Sequence, residues 1–188
     1  MKQARTLTEK QLKQVLAHCS TRRHAVRDRA IVLFSFLAGL RAKEIAALTV
    51  ANIIDEEGII KGEFTLSPEQ TKGRKARRVF VNERLQKELS SYLKQAKLRA
   101  TYAALFQSQK GRHFSANTMC QLLLHIYDGA GIGDATSHSG RRTFITTLAA
   151  KGVGVRVLAE LAAHASISTT QRYIDVNDEQ LRAAVELA

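Results

Sequence analysis

The hydrophobic period of this chain changes twice, and that change constrains the fold more than any single motif. In the first 48 residues apolar side chains recur at helical spacing. Leu12, Val15 and Leu16 follow Thr8-Glu9-Lys10-Gln11, which has capping-box spacing. Residues 27–37 are mostly apolar and read as a second, central helix that Gly39 ends. Residues 41–48 begin a third, with Ile45 and Leu48 inward and Arg41 and Glu44 one turn apart. Across residues 53–81 the pattern shortens to Ile59-Ile60, Phe64-Thr65-Leu66 and Arg78-Val79-Phe80-Val81. Gly58, Gly62 and Thr71-Lys72-Gly73-Arg74 separate these runs, and Pro68, the only proline, lies in the connection before the last hairpin turn. Short β-branched and aromatic runs between turn residues predict a small three-stranded antiparallel sheet. After Asn82 the helical period returns over 83–99, 117–127, 140–151, 155–164 and 169–174, with an amphipathic tail over 177–188. The expected fold class is mainly α, one domain over residues 1–188, with a three-strand insert.

Charge narrows the function classes. The 188 residues carry a formal net charge of +12, which suits an anionic polymer, most simply nucleic acid. Arg22, Arg23, Arg27 and Arg29, with Arg74, Lys75, Arg77 and Arg78, read as clamps on a phosphate backbone. Cys19 and Cys120 are isolated, so neither a disulfide framework nor a zinc site is indicated. The longest apolar stretch, 30–40, is interrupted by Ser35 and too short for a bilayer, and no apolar run follows the first five residues. A reducing, cytoplasmic, nucleoid-associated location is expected, with no membrane partner.

The chemistry-bearing residues cluster late in the chain. His138-Ser139-Gly140-Arg141 is followed by Ala163-His164-Ala165 and then Thr170-Gln171-Arg172-Tyr173, with Gly39-Leu40-Arg41-Ala42-Lys43-Glu44 far upstream. Two arginines, two histidines and a tyrosine are what phosphodiester cleavage without a metal requires. The arginines hold phosphate charge, the histidines move or share protons, and the tyrosine hydroxyl can attack phosphorus. No carboxylate cluster, HxH or Walker-type loop invites a metal or a nucleotide, so no cofactor is expected. Plainer readings stand beside each assignment: a surface salt bridge from Arg41 to Glu44, a core tyrosine at 173, a capping histidine at 164, a solvated turn lysine at 72. Arg142, next to Arg141, is expected to point elsewhere, in a backbone-phosphate or structural role. Tyr92, Tyr102 and Tyr127 read as packing residues.

Taken together, these boxes resemble the catalytic domain of the tyrosine recombinase (phage integrase) family, from Thr6 almost to the end. The family's first box, G-L-R-x-x-E-x-x-x-L, is matched by Gly39 to Leu48. Its H-x-L-R box is matched by His138 to Arg141, and its L-G-H box, with a tyrosine nine residues on, by Leu161 to His164 and Tyr173. The β-hairpin lysine of the family falls on Lys72, with Lys75 as a substitute. There are two departures. Gly140 stands where leucine is usual, removing an apolar contact behind Arg141, and Ala163 stands where glycine is usual, its methyl shifting His164.

The resemblance implies a catalytic set of Arg41, Lys72, His138, Arg141, His164 and Tyr173. Tyr173 would be the nucleophile, His138 its base, Lys72 the acid for the leaving 5′ oxygen, and His164 a donor to a non-bridging oxygen. It implies a site-specific recombinase acting on double-stranded DNA through a 3′-phosphotyrosine, as a homo-tetramer on paired sites, with accessory DNA-bending proteins. The tail would dock on a neighbouring subunit or fold onto its own core. Relaxation of the type IB topoisomerase kind, or a non-catalytic DNA-binding module, are the alternatives. Family members usually carry a preceding DNA-clamping domain, which this sequence lacks, so it reads as a fragment or as a catalytic-domain-only protein.

Overall fold

The computed structural model describes residues 3–71, 73–96, 98, 102–108, 111–174, 182, 185 and 186. Nine α-helices, a short 3-10 helix (Pro68–Gln70) and two strands are defined among them. The first helix, α1 (Glu9–Ser20), starts at Thr8, whose hydroxyl accepts from the Gln11 amide while the Gln11 side chain accepts from the Thr8 amide. The second, α2 (Ala25–Leu37), has every residue from Ala30 to Phe36 buried. An all-round apolar helix can only be central, and α1, α3 (Ala42–Ala46), α5 (Glu83–Ala96) and α7 (Ser139–Ala150) all pack on it. The remaining helices are α4 (Val50–Ile53), α6 (Ala116–Gly129), α8 (Val155–Ala162) and α9 (Ile167–Gln171). Among the described residues no helix is long and apolar enough to cross a membrane.

Among the described residues the sheet has two strands, not three. Strands β1 (Glu63–Leu66) and β2 (Arg77–Phe80) pair antiparallel, with Phe64 opposite Val79 and Leu66 opposite Arg77. The expected first strand is a single bridge from Ile60 back to Ile54. The cause is Asp55: its carboxylate accepts from the Glu57 and Ile59 amides and folds the chain into a tight turn. Ile59 is left exposed, and of the expected strand only Ile60 packs against the core. The family hairpin lysine, Lys72, lies outside the described residues, as does almost all of the tail over 177–188.

Two glycines matter for the site. Gly39 ends α2 at φ +61, and a Cβ there would come within 2.5 Å of the Phe144 ring on α7. Gly140 lets α7 approach α2 directly, since a Cβ on it would strike Ser35 Oγ and lie 2.9 Å from Phe36 Cδ2. The expectation that Gly140 leaves a missing apolar contact is therefore corrected. The volume of a leucine side chain is already occupied by α2.

Candidate active site

Helices α2 and α8 end close together, and each end leaves backbone carbonyls without helical partners. Two buried guanidiniums satisfy them. Arg77 on β2 donates to Leu161 O at 2.7 Å and to Ala38 O at 3.4 Å. Arg141 on α7 donates to Gly39 O at 2.6 Å and to Ala162 O. Both arginines are about 4% exposed. The negative ends of two helix dipoles thus face a pair of fixed cations.

A third guanidinium, Arg41, sits at the N-terminus of α3. Its partner is Glu44, wholly buried, which accepts from the Arg41 amide at 2.9 Å, Arg41 Nη1 at 2.8 Å and Arg77 Nη1 at 2.5 Å. Burial alone would raise the Glu44 carboxyl. Arg77, the Arg41 amide and the Arg41 and Arg141 guanidiniums outweigh it and hold the group below the usual carboxylate range. The ion pair of Arg41 with Glu44 is not the surface pair expected from the sequence, because its carboxylate is fully buried, and Arg41 also lines a recess beside it. Three cations against one carboxylate leave a surplus of positive charge. Burial, then Arg41 and Arg77, push the Arg141 guanidinium below its ordinary value.

That surplus opens onto a recess of about 330 Å³ lined by Arg41, His138, Arg141, Arg142, His164 and Tyr173, together with Gln3, Ala4 and Thr169. His138 is exposed and stands at the N-cap of α7, its amide held by Thr136 Oγ1 at 3.2 Å. His164 follows the left-handed residue Ala163, φ 45 and ψ 54, which terminates α8. His164 Nδ1 lies 2.8 Å from Thr170 Oγ1 on the buried face of α9. Its ring stacks on Tyr173, centroids 5.6 Å apart and planes 24° apart. Burial, then Arg141, Arg41 and Arg77, push the imidazole down to about 4, so it is neutral at pH 7.

Five of the six residues expected from sequence therefore meet in one recess, and the sixth, Lys72, lies outside the described residues. Three sequence readings are corrected. Arg142 does not point away: its guanidinium carbon sits 5.2 Å from the Tyr173 ring centroid. Its place one residue after Arg141 turns it to the open side of the same α7 terminus. Arg77 is not a DNA clamp but a buried strut. Alternation along β2 puts Arg77 on the inner face with Val79 and sends Arg78 outward. Tyr102 is not a packing residue, being 84% exposed. The sequence reading gave Thr170 no role of its own; its only signal was a polar residue on the inward side of a short helix.

The set can grip a tetrahedral anion through always-charged forks. It can also present a hydroxyl and imidazoles to that anion in a half-enclosed space. The phage integrase family profile matches residues 5–180. Tyrosine recombinase XerA of Pyrococcus furiosus is 31% identical over 185 residues, covering 98% of this chain and 62% of that protein. The crystal structure of XerA recombinase shares the fold with a TM-score of 0.78 at 26% identity, over 99% of this chain and 66% of that one. The XerH site-specific recombinase, in a post-cleavage complex with palindromic difH substrate, gives 0.73 at 22% identity, over 96% and 51%. This chain thus spans about three fifths of the length of such curated relatives. With the family's boxes in order and its profile running over nearly the whole sequence, the chain belongs to the phage integrase family, the tyrosine recombinases.

Proposed function

We propose that this chain is the catalytic domain of a site-specific DNA recombinase. The observation that carries the reading is the convergence of Arg41, His138, Arg141, His164 and Tyr173 on one positively charged recess. A DNA phosphate enters between Arg41 and Arg141, whose surplus charge it neutralises. Tyr173 Oη attacks phosphorus and gives its proton to His138. The P–O5′ bond breaks, leaving a 3′-phosphotyrosine, and the departing oxygen takes a proton from Lys72 to become a free 5′ hydroxyl. Charge that accumulates on the five-coordinate phosphorus is met by the two guanidiniums and by an imidazole N–H of His164. Attack of a 5′ hydroxyl from a second strand reverses the steps. The phosphotyrosine bond keeps the energy of the phosphodiester, so rejoining requires no cofactor.

The names and complexes of the relatives support double-stranded DNA as partner. Four copies on two paired sites, with DNA-bending accessory proteins, would make up the working assembly, at the nucleoid. The test is covalent capture. The protein is incubated with nicked duplexes from a genomic library, denatured, and the attached residue identified by mass spectrometry. Tyr173→Phe removes one oxygen and no charge, so it should bind DNA as wild type does and give no adduct. A persistent adduct in that variant would end the nucleophile assignment. Adducts with relaxation of plasmids but no strand exchange would point to topoisomerase activity instead.

A further inference from the structure

A neutral imidazole carries one N–H, and which nitrogen holds it is set by the partner of the other. His164 is held neutral at pH 7, so its tautomer matters. Its Nδ1 faces Thr170 Oγ1 at 2.8 Å, and Nε2 is the nitrogen left for the recess that His164 shares with Arg41, Arg141 and Tyr173. Two arrangements fit the distance. Either Nδ1–H donates to the hydroxyl, leaving Nε2 a bare acceptor, or the hydroxyl donates to Nδ1, leaving Nε2–H a donor.

The surroundings of Thr170 decide between them. Thr170 is fully buried, and among the described residues its hydroxyl makes one hydrogen bond, to His164 Nδ1. A hydroxyl sealed from water must place its hydrogen on an acceptor or bear the cost of a buried unsatisfied donor. Nδ1 is that acceptor, and it can accept only when it carries no hydrogen. The local fold keeps this pair in register. The left-handed turn at Ala163 starts His164 off the end of α8, where its amide bonds Ala159 O at 3.0 Å. Ser166 caps α9 through the Ser168 amide. Thr170 O then receives the Tyr173 amide at 2.9 Å, so one residue anchors both the histidine and the segment that carries the tyrosine.

We infer that Thr170 is a positioning residue that fixes His164 as the Nε2–H tautomer, so that a hydrogen-bond donor rather than an acceptor faces the phosphate oxygen. This rests on the reading of the recess as a phosphodiester-cleaving site. A bare Nε2 would repel a non-bridging oxygen, and a ring free to rotate would present the donor only part of the time.

The test has two parts. Long-range proton–nitrogen correlation spectra of the wild-type protein, ring-labelled at histidine and free of DNA, report which His164 nitrogen is protonated. The expected result is Nε2. Protonation at Nδ1 overturns the proposal whatever the protein's activity. The second part compares Thr170→Val, which keeps the shape and loses the hydroxyl, with Thr170→Ser, which keeps the hydroxyl. On a trapped cleavage substrate Thr170→Val should cut at least ~10-fold more slowly, within the loss seen when a catalytic hydrogen-bond donor is misplaced, with DNA affinity unchanged. Thr170→Ser should retain most of the rate and the Nε2–H signature. Equal rates for Thr170→Val and wild type would sink the positioning role. Loss in both variants with the wild-type ring signal intact would show that Thr170 merely packs. If the tautomer is as expected but no variant or wild type forms an adduct, it is the cleavage reading that fails.

Discussion

Glu44 is the residue on which the charge balance of the site turns. It is wholly buried and takes three hydrogen bonds from two arginines that form no other ion pair among the described residues. Glu44→Gln keeps the shape but leaves Arg77 buried without a counter-charge, which should cost about 3–5 kcal/mol in urea unfolding. The spacing of Arg41 and Glu44 was legible in the sequence because it is local. The third member, Arg77, was not, because it arrives from a strand 33 residues further on, and only the inward face of β2 distinguishes it from its basic neighbours. His164 carries a pH signature. Its folded pKa lies near 4, below the ~6.5 of an unfolded histidine. The unfolded chain therefore takes up a proton first as pH falls, so this stability is complete above about 6.5 and is lost progressively down to about 4. His24 is lowered too, chiefly by burial, so a variant must isolate the effect. His164→Gln should flatten the decline in melting temperature between pH 6.5 and 4 relative to wild type. Parallel curves would show that the ring is not held neutral.

At the scale of elements, the longer helices were legible, while the four-residue α4 and the points where helices meet were not. Periodicity and the Thr8 cap are local signals, and α1 follows them closely. The two departures from the family pattern show what pattern alone misses. Ala163 occupies the left-handed region at the end of α8, where a side chain costs about 1–2 kcal/mol. Glycine is favoured there for its backbone freedom, not only for the room it leaves His164. Ala163→Gly should raise stability by about 1 kcal/mol, after allowing for the larger entropy of the unfolded glycine chain. Gly140 works in the opposite sense. Its Cα faces Ser35 and Phe36 with no space for a methyl, so Gly140→Ala should cost about 1–3 kcal/mol by overpacking. Combining it with Ser35→Gly should recover part of that loss, since the Oγ and Cβ it would strike are gone. Additive losses in a double-mutant cycle would show that the two helices do not meet through this pair. The missing third strand has the same origin in local chemistry: the Asp55 side chain captures two amides before Ile59 can join a ladder.

For the whole molecule, a net charge of +12 predicts binding to a polyanion but says nothing of which cations do the binding. The salt-bridge pattern sorts them. Arg22 and Arg27 both close on the buried Asp28, Arg29 on Glu88, and Arg77 on Glu44. Their charge is matched by carboxylates of the fold itself, on α2 for Arg22 and Arg27, on α5 for Arg29 and on α3 for Arg77. Arg74 and Lys75, exposed beside Lys72 in the β1–β2 connection, have the opposite character. Lys43, two residues beyond Arg41, donates to Thr71 O at 3.2 Å and ties that connection to α3. Removing one phosphate-binding cation should reduce the slope of log affinity against log salt by about 1. Arg74→Ala and Lys75→Ala should therefore each weaken DNA binding at physiological salt and flatten the salt dependence by about one ion. Arg22→Ala should lower thermal stability, because Asp28 is deprived of a partner, and leave the slope nearly unchanged. A fluorescence-anisotropy titration over a series of salt concentrations separates the two groups. If Arg22→Ala lowers the slope as much as Arg74→Ala does, the ion pairs open on binding, and the resting pattern of salt bridges does not select the DNA-facing cations.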